Sequence, residues 1–388
     1  MRNRWFARKA RAMGWLLLAL GGQWPARSRA QLFTGRNYVA LAPADSPAAR
    51  VRQAAQVVPS ARQLRWQQLE VMGFIHFVIN TFTNQEWGNG RESPALFNPT
   101  ALDAGQWVRA CRAGGIQQVI LTAKHHDGFC LRPSRYTEHS VKHSPWRRGR
   151  GDVVREVAAA CRAQGLGFGV YLAPWDRNCA FFGDSARYND YFVHQLTELL
   201  TNYGPIAEVW LDGANGEGPT GRHQVYDFAR WYALIRRLQP RAVIAVMGPD
   251  VRWVGTELGY GRATEWSVVP LETQSPGQVA ACSQQAAGFV PHNRLGADLG
   301  SRAQLQQARS LVWYPAEVDV SIRPGWFYHP AEDAQVPPRP AAGHLLQLGG
   351  QERGAAAQPA AHPRRPPSPR RLPKPARLAH AGNQHVWP

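Results

Sequence analysis

The chain has 388 residues, of which 44% are hydrophobic and 19% are charged, so it is long enough to bury one large core or two ordinary ones. This composition excludes a peptide-sized or wholly disordered protein. The formal net charge is +18, but residues 1–30 contribute +7 and residues 331–388 contribute +5. Because the middle of the chain is only mildly basic, we do not expect a nucleic-acid partner.

Residues 1–30 are typical of a secretory signal peptide. A basic segment, MRNRWFARKARAM, precedes the short apolar run GWLLLALGG, and Ser28-Arg29-Ala30 offers small residues for cleavage. The apolar run is far shorter than the roughly 20 residues of a membrane-spanning helix, and an amphipathic basic surface helix is the alternative. We therefore expect export to the periplasm or the extracellular space, without a membrane span.

After a lead-in segment over residues 31–64, residues 65–330 alternate short β-branched or aromatic runs with runs of helical periodicity. The predicted strands span 74–80, 117–124, 167–173, 207–212, 242–247, 263–268 and 318–323. The predicted helices span about 104–113, 151–164, 188–202, 222–238 and 302–310. This pattern predicts an α/β fold, a (β/α)₈ barrel that lacks one strand. A doubly wound sheet is the alternative, but no G-x-G-x-x-G motif follows the first strand.

In such a barrel the chemistry lies on the loops after the carboxyl ends of the strands. Asp212 ends the apolar run Val209–Leu211, where a carboxylate is costly to bury without a function or a partner. It is a candidate nucleophile toward an anomeric carbon; a helix cap or a structural salt bridge is the alternative. A retaining glycosidase also needs a second carboxyl group about 5 Å away, and Glu257 and Glu265 are the downstream candidates.

Three histidines, His76, His125 and His126, lie at two predicted strand ends. Adjacent residues on a strand point in opposite directions, so His125 and His126 fit a shared metal ion poorly, and no metal or other cofactor is expected. Neutral imidazoles fit sugar hydroxyls better, although a histidine satisfied within the core is the alternative for any one of them. Side chains with an acceptor or an aromatic face complete the candidate sugar site: Glu86, Trp87, Tyr171 and Trp326.

Several segments occur in a recognisable order: GFIHFVINTFTNQEWG, LTAKHHDGFCLRPS, EVWLDGANGEG, RWVGTELGYGRATEWS and RPGWFYH. From about Arg65 to His329 the chain resembles the α-L-fucosidases of glycoside hydrolase family 29. The resemblance implies a catalytic (β/α)₈ barrel followed by a C-terminal β-sandwich. It also implies an enzyme that releases terminal α-L-fucose from oligosaccharides or glycoconjugates with retention of configuration.

Carried over residue by residue, the resemblance makes Asp212 the nucleophile and places His76, His125, His126 and the Glu86–Trp87 pair in the sugar pocket. Glu257 matches the branch whose acid/base lies in a Trp-Val-Gly-x-Glu segment, and it is preferred to Glu265. That branch acts on α-1,3 and α-1,4 linkages. Thr256 replaces the asparagine that often precedes the acid/base, so the chain departs from the family pattern there.

Residues 331–388 carry eleven of the thirty prolines and no hydrophobic periodicity, as expected for a disordered basic tail. With permitted codons, the bases of residues 341–366 shifted by one position can encode LLDTYYSSVGRNGVLLLNLPPTRAGL, which contains a strand-like run of the family. If the reading frame has shifted there, we expect a truncated chain that lacks the last barrel strand and the C-terminal β-sandwich. A catalytically impaired fucose-binding remnant is then one alternative, and a polyanion-binding protein is another.

Overall fold

The computed structural model describes residues 32–33, 35–255, 257, 259, 261, 265–271, 279 and 299–330. The predicted signal peptide, the predicted tail and any strand encoded in the shifted frame lie outside the described residues. Among the described residues, no helix combines the length and the apolar character that crossing a membrane requires.

Eight α-helices and ten β-strands lie in the described part of the chain. The helices are α1 Pro47–Ala54, α2 Ala61–Gln67, α3 Asn80–Thr83, α4 Ala104–Ala113, α5 Val153–Gln164, α6 Ser185–Asn202, α7 Phe228–Leu238 and α8 Arg302–Gln307. The strands are β1 Tyr38–Ala40, β2 Gly73–Ile75, β3 Gln118–Lys124, β4 Gly167–Leu172, β5 Glu208–Leu211, β6 Val243–Val246, β7 Val251–Trp253, β8 Val268–Pro270, β9 Ser310–Trp313 and β10 Ala316–Glu317.

Seven of the described strands form one parallel sheet in the order β10-β7-β6-β5-β4-β3-β2. This order follows the chain without a reversal, whereas a doubly wound sheet reverses its strand order at a switch point. The helices α4, α5, α6 and α7 each connect two successive strands from β2 to β6. The predicted (β/α) barrel is therefore confirmed, with seven barrel strands in the described residues.

Aspartates begin the four helices that alternate with these strands. Asp103, Asp152, Asp184 and Asp227 each accept a hydrogen bond from a backbone N–H of the first turn of their helix. Such caps satisfy donors that have no partner inside the helix. They explain why α5, α6 and α7 begin at residues 153, 185 and 228, rather than at the predicted 151, 188 and 222.

The sixth barrel strand was predicted at residues 263–268, and this position was wrong. The sixth strand of the barrel is β7, which contains Arg252, whereas β8 pairs with β9 in a separate antiparallel sheet that also holds β1. The Arg252 side chain is fully buried, donates to the carbonyls of Tyr314 and Trp266, and forms a 2.5 Å ion pair with Glu265. The sequence around Arg252 does not indicate a strand, because the carboxylate that neutralises this buried charge comes from a different segment.

The ends of the sheet also differ from the prediction. The first strand stops at Ile75, and the short helix α3 begins at Asn80, where the predicted strand ended. The last strand lies at Ala316–Glu317, just before the predicted range 318–323. Both strands are edge strands of the described sheet, where pairing on one side only permits short strands.

Strand β5 shows which side of the sheet faces the barrel interior. Glu208, Trp210 and Asp212 alternate along it and share one face. The Glu208 carboxyl binds Gln118 of β3, and the Trp210 indole binds Glu317 of β10, although neither strand neighbours β5. Side chains that reach strands other than their neighbours must cross the inside of the barrel, so this face of β5 lines the interior. Glu208 marks the floor of the barrel and Asp212 its mouth.

Candidate active site

Asp212 follows β5 at the mouth of the barrel, and both of its carboxylate oxygens accept hydrogen bonds. The Tyr171 hydroxyl at the end of β4 donates to Oδ2 over 2.8 Å, and the backbone N–H of Ala214 donates to Oδ1 over 2.6 Å. The His126 Nε2 atom lies 3.8 Å from Oδ2. The Asp212 side chain is 21% exposed, so the carboxylate is held in one orientation while it stays reachable from the cavity.

Tyr171 is suited to act as a permanent donor to Asp212. Its side chain is 1% exposed, and burial, followed by the charge of Asp212, raises the pKa of the phenol well above its usual value. The ring stacks on Trp210 with centroids 4.9 Å apart. The hydroxyl therefore keeps its proton at neutral pH and can donate to Asp212.

The three predicted histidines lie together around Tyr171. The His125 and His126 ring centroids are 4.1 Å apart, and Tyr171 lies 5.8 Å from His125 and 6.2 Å from His76. The expectation that the adjacent imidazoles point in opposite directions was wrong. Strand β3 ends at Lys124, so the alternation of side chains stops before His125.

Burial keeps these imidazoles neutral. It lowers the pKa of His76 to about 3 and the pKa of His125 well below its usual value. It also lowers the pKa of His126, although the charge of Asp212 opposes this shift. Among the described residues, none forms a hydrogen bond with the buried Nδ1 atoms of His125 and His126. Neutral imidazoles offer one donor and one acceptor each, as binding of hydroxyl groups requires.

Aromatic rings line the other sides of the site. Trp87 is 53% exposed and meets His126 and Trp175 edge to face, each at 5.7 Å, while the Trp326 ring lies 5.1 Å from His76. Phe327 lies 5.0 Å from His125. An exposed indole face such as that of Trp87 can bind the apolar patches of sugars.

Glu86 binds the segment that carries Trp326. Its Oε1 accepts a 2.5 Å hydrogen bond from the Trp326 backbone N–H, and its Oε2 lies 3.3 Å from the His329 Nε2. A side chain at Gly325 would approach Oε2 to 2.6 Å. The structure thus joins the loop after β2 to the loop after β10, so that Trp87 and Trp326 border the same site.

The two candidate acid/base residues lie in different surroundings. Glu257 is exposed. Burial is the main cause that raises the pKa of Tyr171 and of Asp319, and the charge of Glu257 is a smaller cause in both cases. The Glu265 side chain is 7% exposed and is engaged by the buried Arg252. The surroundings of Glu257 fit a group that exchanges protons with a substrate, and those of Glu265 fit a structural ion pair.

Some residues of the site were not predicted as ligands. Trp175 lies 5.0 Å from His126 and donates from its indole to the Glu217 carbonyl, and Arg177 lies over its ring. Asp319 accepts a 2.8 Å hydrogen bond from the Trp253 indole. The sequence places Trp175 just after the third predicted strand, and so at the barrel mouth, without indicating that it binds the sugar, whereas Asp319 lies inside the predicted strand 318–323. Within the described ranges, no three His, Cys, Asp or Glu side chains are placed to share a metal ion.

Comparisons with known proteins agree with this architecture. The sequence model of the alpha-L-fucosidase family matches residues 60–265. Alpha-L-fucosidase 1 of Arabidopsis thaliana is 48% identical over 293 residues, which cover 75% of this chain and 53% of that protein. The chain spans about half the length of the curated relatives it matches.

Solved structures give the same result. The crystal structure of a protein from Bacteroides ovatus described as an alpha-L-fucosidase superposes with a TM-score of 0.73 at 52% identity. The match covers 81% of this chain and 53% of that chain. A Ruminococcus gnavus GH29 fucosidase in complex with fucose superposes with a TM-score of 0.57 at 28% identity, covering 76% and 60%. Since the family model covers more than half of the chain and includes both Asp212 and the surrounding histidines, the protein belongs to the alpha-L-fucosidase family.

Proposed function

We propose that this protein is an α-L-fucosidase that hydrolyses terminal α-L-fucosides of oligosaccharides or glycoconjugates with retention of configuration. The observation that carries the proposal is Asp212, a carboxylate at the mouth of the barrel whose two oxygens are oriented by Tyr171 and Ala214. Membership of the family and the likeness to a fucose-bound fucosidase support the choice of sugar.

The surroundings of Asp212 match the chemistry of L-fucose. This sugar presents ring hydroxyls on some faces and a methyl group on another, so its pocket needs donors, acceptors and apolar walls. The neutral imidazoles of His76, His125 and His126 supply the polar contacts. Trp87 and Trp326 supply aromatic surface.

In the first step, Asp212 attacks the anomeric carbon while Glu257 gives its proton to the glycosidic oxygen. The bond from that carbon to the leaving oxygen breaks as the ester to Asp212 forms. Tyr171 and Ala214 keep the attacking carboxylate aligned, so little reorganisation is needed during the attack.

In the second step, Glu257, now ionised, takes a proton from a water molecule that attacks the same carbon. The ester bond breaks, Asp212 is regenerated, and fucose leaves with its original configuration. Two inversions at one carbon give net retention. The exposed position of Glu257 lets water and the leaving sugar reach it.

The test measures hydrolysis of an aryl α-L-fucoside and the anomer of the product by NMR. We expect α-L-fucose as the first product. In the presence of azide, Glu257→Ala should give the α-fucosyl azide and Asp212→Gly the β-fucosyl azide, because only the first variant still forms the ester. Inversion by the wild type, the same azide anomer from both variants, or fucose binding without turnover would reject the proposed mechanism.

We further propose that the preferred linkages are α-1,3 and α-1,4, on the basis of the Trp-Val-Gly-x-Glu segment that ends at Glu257. A panel of fucosylated oligosaccharides tests this, and a preference for α-1,2 or α-1,6 linkages would contradict it.

We also propose export, since residues 1–30 have the composition of a signal peptide. N-terminal sequencing of the protein from the culture medium or the periplasm shows whether residues 1–30 have been removed.

A further inference from the structure

Two glutamates lie buried in the interior of the barrel, below the candidate active site. Glu208 on β5 is fully buried, and Glu317 on β10 is 7% exposed. Neither belongs to the group that surrounds the sugar site, and within the described ranges neither forms an ion pair with a basic side chain. Two unneutralised carboxylates at this depth would be very costly.

The hydrogen bonds of the pair indicate how that cost is avoided. Glu208 Oε2 accepts from the Gln118 amide over 2.6 Å and from the Trp66 indole over 3.1 Å. Glu317 Oε1 accepts from the Trp210 indole over 2.6 Å. The remaining oxygens, Glu208 Oε1 and Glu317 Oε2, have no donor among the described groups, yet the two carboxyl groups are within hydrogen-bonding reach of each other.

One proton satisfies both remaining oxygens. If Glu208 carries it, its hydroxyl donates to Glu317, which keeps its charge and accepts the Trp210 N–H. Burial and the charge of Glu317 raise the pKa of Glu208 well above its usual value, whereas burial raises the pKa of Glu317 to about 7. Glu208 is therefore the partner that carries the proton.

The pair is connected to the active site through two aromatic rings. The Trp210 indole, whose N–H is held by Glu317, stacks on Tyr171 with centroids 4.9 Å apart and an interplanar angle of 21°. Tyr171 in turn donates to Asp212 over 2.8 Å. Phe74 meets both rings edge to face, which limits their sideways movement.

We propose that Glu208 and Glu317 share one proton and act as a positioning pair, which fixes the Trp210 indole beneath Tyr171 and so orients Asp212. This inference rests on the proposed function of Asp212. The pair touches neither the sugar nor the reacting atoms.

The kinetic test compares two indole N–H groups that bind the same pair. Trp210→Phe removes the N–H that holds the ring beneath Tyr171, and Trp66→Phe removes an N–H that leads away from the site. We expect Trp210→Phe to lower kcat roughly ten- to hundredfold with little change in KM, since small misplacements near the reacting atoms have effects of this size. Trp66→Phe should keep kcat within about twofold. Equal effects of the two variants on kcat, or none, would overturn the positioning claim.

A second set of variants tests the single proton. In Glu208→Gln, the new amide donates to Glu317 in place of the Glu208 hydroxyl. In Glu317→Gln, the new amide donates to Glu208, which is then ionised. Each single variant should therefore keep most of the wild-type kcat. The double variant has two amides and always leaves two donors facing each other. Its loss of kcat should far exceed the product of the single losses. Losses that multiply would contradict a shared proton.

Infrared difference spectra at neutral pH keep this inference separate from the proposed function. The wild type minus Glu208→Gln should show a band of a protonated carboxyl group, whether or not the chain hydrolyses fucosides. Absence of the band in an active enzyme would reject the pair and leave the proposed function intact. A chain with the band but no turnover would reject the fucosidase mechanism and the positioning claim together, and keep the shared proton.

Discussion

The mouth and the floor of the barrel use the same residue chemistry for opposite purposes. Glu208 begins β5 and Asp212 directly follows it, so the two carboxyl groups, four positions apart, share one face. Asp212 is 21% exposed and accepts from a hydroxyl and a backbone N–H. Glu208 is fully buried and faces a second carboxyl group. Solvent access and the neighbouring donors therefore decide which carboxyl group is available for reaction.

The largest difference between the two regions is expected when the acidic group at each end of this face is replaced by its amide. Asp212→Asn should lower kcat on an aryl fucoside by roughly a thousandfold or more, because no ester can form. Glu208→Gln should change kcat only a few-fold, since an amide still donates to Glu317. Steady-state kinetics checks both predictions. An Asp212→Asn variant that retains a tenth of the wild-type kcat would refute the assignment of Asp212 as the nucleophile.

The second test separates the two downstream glutamates. Glu257→Gln should lower kcat/KM for an oligosaccharide roughly 10²- to 10⁴-fold without changing the melting temperature, because it removes a proton donor. Glu265→Gln should instead destabilise the fold by about 3–5 kcal/mol, because the buried Arg252 loses the carboxylate that it binds over 2.5 Å. Thermal melts beside the kinetics decide this, and the reverse pattern would make Glu265 the acid/base.

A third prediction concerns the donor that links the two regions. Tyr171→Phe keeps the ring on Trp210 but removes the hydroxyl from Asp212, and should lower kcat roughly ten- to hundredfold. Tyr232→Phe is the matched control, because its buried hydroxyl donates over 2.5 Å to the Met247 carbonyl instead. A similar kcat for both variants would show that the hydroxyl at Asp212 is dispensable.

The smallest effect concerns Asp127, a fully buried acid next to the histidines. Burial raises its pKa to about 8, whereas an unfolded aspartate releases its proton near pH 3.9. Between these values the folded state binds more protons, so this residue's contribution to the free energy of unfolding falls as the pH rises, by at most roughly 1.4 kcal/mol per pH unit.

Asp127→Asn removes that dependence while its side-chain oxygen can still accept the Phe129 N–H. The melting temperature of the variant relative to the wild type should therefore increase between pH 5 and pH 8, by a few degrees. Thermal melts across this range check the sign. A difference that stays constant or reverses would show that Asp127 is ionised in the folded protein.

The sequence predicted the barrel because its signals are local. Apolar strands alternate with helices whose first turns are capped by Asp103, Asp152, Asp184 and Asp227, and the helix Ala104–Ala113 matches its prediction at both ends. Strand β7 was missed because its central residue is a charge that is neutralised by a distant glutamate. Such a partner is set by tertiary structure, and no pattern near Arg252 indicates it.

The candidate site shows the same division. Residues that directly follow strands, such as Asp212 and His126, were predicted to lie at one mouth, and the structure places them 3.8 Å apart. The carboxyl pair on the floor was missed, although Glu208, Trp210 and Asp212 alternate in the sequence EVWLD. That alternation indicates a common face, but the partner Glu317 lies on a strand that only folding brings near.

Trapping the intermediate tests the central claim most directly. A 2-deoxy-2-fluoro-α-L-fucosyl fluoride should inactivate the enzyme by forming a slowly hydrolysed ester, which peptide mass spectrometry can locate. We predict one label, on the carboxylate of Asp212. A label on another residue, or rapid turnover of natural fucosides by a protein without Asp212, would contradict the account.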